Sequence, residues 1–337
     1  MKIFVTGATG FLGRRTVARL AAGGHELRLL VRPTSSREGL PVGAELASGD
    51  VTDRSSLERA MAGCDAVVHA AALVKILAPR AEFDRINVGG LTNVLAAAEA
   101  SAVPRILYVS SFIALGPTER GPGGVLDESA EPLPGGHERS WINDYERTKA
   151  LADAAARHAI ERGTPLVVVY PAVIYGPGEL TEGNIVVRHL LDLARRKLPA
   201  LLGRPERRWG YVDVDDVAEG IARALERAPV GARFVLGGEN VTQAEFYRLA
   251  GELGGLRIPR RRMPDGVARV AGAMMKLAAR LAGDTPRLTP DLVEIYRHDW
   301  AFDSSRAVRE LDYRPRPLAQ GLRETFDWLR TLPEWPA

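Results

Sequence analysis

The chain has 337 residues with 45 Lys and Arg against 42 Asp and Glu, a formal net charge of +3, and 46% hydrophobic residues, which excludes a disordered chain and gives no support for a nucleic-acid partner. A single cysteine, Cys64, excludes an internal disulfide and a four-cysteine metal site, and a reducing, cytoplasmic compartment is the default. No apolar run reaches the roughly 20 residues that span a bilayer, and no signal peptide is expected ahead of the strand-like Lys2-Ile3-Phe4-Val5.

In chain order, short apolar runs alternate with amphipathic helical patterns. Ile3–Thr6 precedes a helix over Leu12–Gly23, Glu26–Val31 a helix over Ser55–Ala62, and Ala66–Ala70 a helix over Phe83–Ser101. Ile106–Ser110 leads through a Gly/Pro-rich loop to a helix near Tyr145–Arg162, then the strand Leu166–Tyr170. Continuous Val/Ile/Leu strands in β-α-β order predict an α/β fold, a Rossmann-type doubly wound parallel sheet. Past Pro171 the rhythm changes. A helix near Ile185–Lys197, a strand Tyr211–Val214, a helix to Ala228 with Asp215 as its N-cap, a strand Arg233–Leu236 and a helix Val241–Gly251 are expected. The expected division is a dinucleotide-binding domain of 1–172 plus 209–230, with a smaller discontinuous substrate lobe of 173–208 plus 231–330.

Thr6-Gly7-Ala8-Thr9-Gly10-Phe11-Leu12-Gly13 follows the first strand and opens the first helix. Gly7 permits the tight turn, Gly10 lets backbone approach a pyrophosphate, and Gly13 lets helix and strand pack closely. The helix start offers free N–H groups and the positive end of its dipole to the anion. The second strand ends in Val31-Arg32-Pro33-Thr34-Ser35-Ser36-Arg37 rather than in an acidic residue. Arg32 is thus a cation where a 2′-phosphate would lie, which favours NADP(H) over NAD(H).

Tyr145 and Lys149 are four apart, so both lie on one helix face. An ammonium beside a phenol lowers the phenol pKa and makes a usable acid/base. Ser110-Ser111 ends a strand, at the sheet edge where ligands bind in open α/β folds. A hydroxyl there holds a substrate carbonyl oxygen beside the tyrosine.

Taken as a set, these residues resemble an extended short-chain dehydrogenase/reductase of the NAD-dependent epimerase/dehydratase superfamily. The likeness runs over Thr6–Gly13, Gly49-Asp50-Val51, His69-Ala70-Ala71-Ala72, Asn87-Val88, Val109-Ser110-Ser111, Tyr145/Lys149, Pro171, Tyr175-Gly176-Pro177-Gly178 and Val214-Asp215-Asp216-Val217-Ala218. Within it the chain is most similar to dihydroflavonol reductase-like and hopanoid-associated epimerase-like proteins, through Phe234–Asn240 and Leu311–Pro315. The resemblance implies a catalytic set of Ser111, Tyr145 and Lys149, with Asn87 completing a proton relay through a water to Lys149. It also implies cofactor contacts from Gly7, Thr9, Gly10, Phe11, Leu12, Gly13, Arg32, Asp50, Val51, Ala70, Ala71, Ala72, Ser110, Tyr145, Lys149, Pro171 and Val173. Three departures matter. Phe112-Ile113 stands where related dehydratases carry Asp-Glu, Trp209-Gly210-Tyr211 where sugar-nucleotide epimerases often place an arginine, and Tyr170 where an arginine commonly precedes the proline. The substrate site therefore reads as aromatic rather than diphosphate-binding.

The leading function is an NADP(H)-dependent ketoreductase or alcohol dehydrogenase acting on a small, partly apolar carbonyl or alcohol. A sugar epimerase and a non-catalytic dinucleotide sensor are the alternatives. Trp141 and Asn143 are either substrate borders or surface, as is the stretch 135–140; Tyr175, Trp209 and Tyr211 are either substrate walls or core. Asp213, Asp215 and Asp216 are not read as a metal site, and His69 is read as framing the adenosine side rather than as a base. Arg260-Arg261-Arg262 reads as a solvated face or a contact for an acidic partner. Val267–Ala282 reads as a lobe helix packing on the core, with a lid or a membrane-surface helix as the sharper alternative. A homodimer through the helices near 83–101 and 145–162 is a further expectation.

Overall fold

The computed structural model describes residues 1–130 and 141–336; the stretch 135–140 lies outside them. Among the described residues there are ten strands: β1 (Lys2–Thr6), β2 (Glu26–Val31), β3 (Glu45–Ser48), β4 (Ala66–His69), β5 (Ile106–Val109), β6 (Leu166–Pro171), β7 (Val173–Tyr175), β8 (Arg208–Asp213), β9 (Arg233–Leu236) and β10 (Glu239–Thr242). The α-helices are α1 (Phe11–Ala22), α2 (Arg54–Met61), α3 (Arg80–Phe83), α4 (Gly89–Ala100), α5 (Asp144–Glu161), α6 (Ile185–Ala194), α7 (Val214–Arg227), α8 (Gln243–Gly254), α9 (Asp265–Ala282), α10 (Pro290–Ile295), α11 (Ser305–Leu311) and α12 (Leu318–Leu329).

Seven strands form one parallel sheet in the order β3-β2-β1-β4-β5-β6-β9. Its central strands are apolar on both sides because both sides are covered. Ile3, Val5, Val68 and Val167 face a layer with Val17 and Leu20 of α1 and Val217 and Ile221 of α7. Phe4, Val67, Tyr108 and Val168 face the opposite layer with Leu57 of α2, Leu91 and Val94 of α4 and Ala152 and Ala156 of α5. The register pairs Thr6 with His69, His69 with Tyr108 and Val109 with Val169. The carboxyl ends of β1, β4, β5 and β6 are thereby brought to one edge, where the strand order reverses about β1 and β4.

The expected lobe boundaries cross this pairing. β9 is the edge strand of the large sheet, from Val168↔Arg233 to Pro171↔Leu236, although it falls in the stretch assigned to the lobe. β8 falls in the stretch assigned to the sheet domain, yet it lies between β7 and β10 in a separate three-stranded sheet. The reason is burial: Phe234 and Leu236 join one apolar layer and Val235 the other, as a large-sheet strand requires, and strand order in the chain does not carry that information.

Three local expectations are also revised. Asp213, not Asp215, caps α7, its side chain accepting from Asp215 N at 2.9 Å. The helix expected over Phe83–Ser101 starts at Arg80 and contains a π-helical turn, Asp84–Val88, between α3 and α4. The apolar stripe of α9 faces outward; its small residues Ala268, Gly272 and Ala279 are the buried ones, and a Cβ on Gly272 would sit 2.8 Å from Thr289 backbone.

Candidate active site

The glycine loop has the shape a dinucleotide needs. Gly7 holds φ +78 and sits so close to β4 that a Cβ would be 2.6 Å from Ala71 N. A Cβ on Gly13 would fall 1.9 Å from Gly7 O, so α1 packs on the loop only without one. Gly10 is different: its nearest neighbour would be Gly7 O at 3.4 Å, so what its missing side chain leaves open is the space over the helix start. That start has no side-chain cap and no acidic residue in its first turn. Its free N–H groups and dipole therefore remain available to a pyrophosphate, and the residues present fit a dinucleotide.

Arg32 is exposed at the end of β2 and has no ion pair among the described residues. Asp50 turns its Oδ1 on Thr52, accepting from the backbone N at 2.9 Å and the hydroxyl at 2.8 Å, so it shapes the loop after β3. Val51 is buried against Gly90, where a Cβ would come within 3.1 Å of it. Ala71 N donates to Thr6 Oγ1 at 3.3 Å, fixing the Ala70–Ala72 segment beside the loop. Pro171 ends β6 and Val173 opens β7, both buried. The segment after β7, noted in the sequence only for its likeness at 175–178, makes contacts that the sequence does not show. There Arg14 pairs with Glu179 at 2.9 Å, Arg15 donates to Pro177 O at 2.8 Å, and Gly178 leaves room for the Phe11 ring. Glu182 in turn accepts from Ile76 N at 2.7 Å, so this segment straps the start of α1 to the chain after β4.

Ser111, Tyr145 and Lys149 meet at the carboxyl edge. Ser111 follows β5 and caps a short 3-10 turn, Ile113 N reaching its Oγ at 3.4 Å. Tyr145 enters from the first turn of α5, which Asn143 caps by accepting from Glu146 N at 2.8 Å. Burial dominates and pushes the phenol pKa up to about 12, although the nearby Ser111 hydroxyl lowers it. Lys149 is fully buried; its Nζ donates to Val109 O at 3.3 Å and Ser110 O at 3.5 Å and lies 5.3 Å from the Tyr108 ring centre. Burial pulls its pKa down to about 8, opposed by the charge of Asp153. The expected depression of the phenol by its lysine is thus not visible here, because the ammonium is turned to β5 carbonyls and desolvation outweighs the hydroxyl.

The direct partners of Asn87 are Leu73 and Thr148. Its Oδ1 accepts from Leu73 N at 2.7 Å, and its Nδ2 donates to Leu73 O and to Thr148 Oγ1 at 3.0 Å. The π-helical turn that carries it aims the amide at these partners, so Asn87 ties the chain after Ala72 to α5. Ser110 keeps a buried Oγ without a partner among the described residues. His69 shares a 2.7 Å hydrogen bond with Thr6, stacks on Tyr108 and is pushed down to about 3 by burial, so it stays neutral.

Sequence reading also missed Asp153, one turn beyond Lys149. Its Oδ1 accepts from Tyr170 OH at 2.5 Å and its Oδ2 from Arg157 Nε at 2.7 Å. The signal was available: Tyr145, Lys149 and Asp153 recur every four residues on a face shared with Thr148, Ala152, Ala156 and Ala159. Tyr170, noted only as standing in place of an arginine, is the hydroxyl that this carboxylate holds.

On the substrate side, Phe112 packs edge-on against Trp300 at 5.4 Å and near Phe302 at 5.7 Å, an apolar wall beside Ser111. Trp209, Tyr211 and Tyr175 are buried in the lobe; Tyr211 stacks on Phe246 at 4.4 Å and accepts from Gln243. A cavity of about 1040 Å³ opens beyond Trp141 and Ile142, just ahead of Tyr145, and its far walls are charged. There Arg207 pairs with Glu119 at 3.1 Å and Arg297 with Asp265 at 3.3 Å. The three carboxylates of the β8–α7 corner are held by arginines and backbone, Arg316 reaching both Asp213 at 3.7 Å and Asp216. Asp213 caps the helix, Asp215 pairs with Arg15, and Asp216 pairs with Arg316 at 3.0 Å.

Comparison with known proteins agrees with this geometry. The chain is 30% identical over 339 residues to a putative dihydroflavonol 4-reductase of Synechocystis sp., covering 97% of this chain and 94% of that protein. It is 32% identical to a 4-hydroxy-2-methyl-3-oxo-4-farnesyl-3,4-dihydroquinoline-1-oxide ketoreductase of Stigmatella aurantiaca, covering 95% and 94%. The crystal structure of gox2253 superposes with a TM-score of 0.81 at 31% identity, covering 99% of both chains. The model of the NAD dependent epimerase/dehydratase family matches residues 3–237, and with the glycine loop, the parallel sheet and the site at its carboxyl edge in place, the chain belongs to that family of NAD(P)-using oxidoreductases.

Proposed function

We propose that the protein is an NADP(H)-dependent carbonyl reductase, or alcohol dehydrogenase in the reverse direction, that uses Ser111, Tyr145 and Lys149. The observation that carries this reading is the buried Lys149 ammonium held on backbone carbonyls at the end of β5, one helical turn from Tyr145 and at the same carboxyl edge as Ser111 and an open glycine loop. The bound nicotinamide supplies the hydride. Tyr145 delivers a proton to the carbonyl oxygen as negative charge develops there, and Ser111 donates to the same oxygen. Lys149 holds a positive charge behind the phenol. Substrate is a small molecule whose apolar part lies along Phe112 and whose polar part reaches toward the cavity past Trp141. The ketoreductase name of one relative supports a carbonyl substrate, and Phe112-Ile113 in place of an acid pair disfavours elimination.

Tyr145→Phe is expected to lower kcat by about 10²–10⁴ in a panel of ketones followed by NADPH absorbance, while leaving cofactor binding intact. Unchanged turnover removes the assignment. Net consumption of NADPH with each product separates reduction from epimerisation, in which the cofactor is restored on every cycle. Arg32 is assigned to the 2′-phosphate because it is an unpaired cation where an acidic ribose ligand would otherwise stand. Arg32→Asp should weaken NADPH binding by roughly tenfold or more while sparing NADH, read by cofactor titration; equal losses for both would assign the selectivity elsewhere.

A further inference from the structure

Helix α9 has its polarity inside out for a helix that only packs on its own lobe. Val267, Val270, Met274, Leu277 and Leu281 are between 58% and 83% exposed. At 100° per residue these five lie within an arc of about 80°. The opposite side, Ala268, Gly272 and Ala279, is the side buried against the segment that opens α10. Five large aliphatic side chains presented in one row at the surface are not the scattered exposure of an ordinary protein surface.

The charges around this row have one sign of excess. Arg269, Lys276 and Arg280 follow one border of the stripe. Arg269 is bound to Glu294 and Lys276 to Asp291 at 2.9 Å, but Arg280 has no ion pair among the described residues. Arg257, Arg260 and Arg261, on the exposed chain leading into the helix, are likewise unpaired. An aliphatic stripe edged by free arginines is the composition of a helix that lies in a lipid headgroup layer. A second copy of the chain fits it less well. A stable interface takes about 20–30 residues from each side, whereas this stripe offers five, and pairing two such helices would bring arginines toward arginines.

We propose that α9 docks the protein onto an anionic lipid bilayer, with Val267, Val270, Met274, Leu277 and Leu281 in the acyl boundary and Arg257, Arg260, Arg261 and Arg280 on the headgroups. Among the described residues no helix is long and apolar enough to cross a membrane, so the contact is lateral and reversible. Asp265 and Arg269 in the first turns of α9 are also walls of the cavity beyond Trp141, so docking sets that cavity beside the bilayer. The proposal is independent of the reduction described above, and its test uses no substrate.

The full chain is sedimented with vesicles of phosphatidylcholine alone and of phosphatidylcholine with about one-third phosphatidylglycerol. Binding is expected to the second vesicles, weakly to the first, and to fall in high salt. Met274→Asp with Leu277→Asp should reduce the bound fraction roughly tenfold or more without changing Tm or NADPH binding, since both positions are exposed. Arg260→Glu, Arg261→Glu and Arg280→Glu together should remove the preference for anionic vesicles. Failure of the parent protein to sediment with either vesicle, equal binding to both, or binding indifferent to the Met274 and Leu277 changes overturns the proposal. A dimer in analytical ultracentrifugation that those two changes dissolve, with no vesicle binding, overturns it in favour of a second copy.

Discussion

At the scale of single residues the site is a set of desolvated groups with few compensating contacts. Lys149 is the sharpest case: a buried ammonium held by two carbonyls, its pKa lowered to about 8. Between about 8 and the ordinary lysine value the unfolded chain binds the proton that the folded one has released, so stability rises with pH across that window and the penalty is fully present below it. Turnover should run the other way. Reduction needs the ammonium, so kcat for the ketone is expected to fall as pH rises through about 8, checked by a pH–rate profile; a profile flat to pH 10 would remove the cation from the chemistry. Lys149→Met should combine a loss of turnover with an unchanged or higher Tm, because an apolar side chain of similar length removes a buried charge. The charge of Asp153, a carboxylate held by Tyr170 and Arg157, opposes this lowering.

At the scale of elements, much was readable where chemistry is local. Thr242 three residues before Glu245 is a capping box, and the structure has both halves: Glu245 N donates to Thr242 Oγ1 at 3.1 Å, and Thr242 N donates to Glu245 Oε2 at 2.8 Å. Thr242→Ala is expected to cost about 1 kcal/mol of stability, measured by urea unfolding. The glycine loop and the Tyr145/Lys149 spacing were legible for the same reason, since a turn and a helix face are determined within a few residues. The N-cap of α7 was placed two residues late because Asp213 and Asp215 carry the same side chain, and only the strand's end decides which one is outside the helix. The π-helical turn at Asp84–Val88 has no local sequence mark; the amide of Asn87 is set there by Leu73 and Thr148, far along the chain. The outward stripe of α9 shows the same limit, since periodicity identifies an apolar face without saying which way it turns.

At the scale of the whole molecule, the sheet, the strap after β7 and the start of α1 converge on one edge and predict a linked stability. Cofactor at about 100 times its Kd should add about 2.7 kcal/mol, a rise of about 4 °C in Tm for a chain of this size by calorimetry. Gly13→Ala should abolish that rise, since its Cβ would fall 1.9 Å from Gly7 O. A rise larger for NADPH than for NADH at matched concentration would agree with the role proposed for Arg32.

The sequence by itself determined the family, the parallel α/β sheet and the glycine loop, because those follow from turns, periodicity and short spacings, and it singled out Ser111, Tyr145 and Lys149 as the candidate set. Only the tertiary structure decided that β9 completes the large sheet while β8 leaves it, that Asn87 faces Leu73, that Lys149 rests on β5 carbonyls under Tyr108, and that α9 turns its aliphatic row outward. Each of these depends on which distant surface comes to lie opposite, and desolvation by that surface, not the local residue pattern, sets both the packing and the charge.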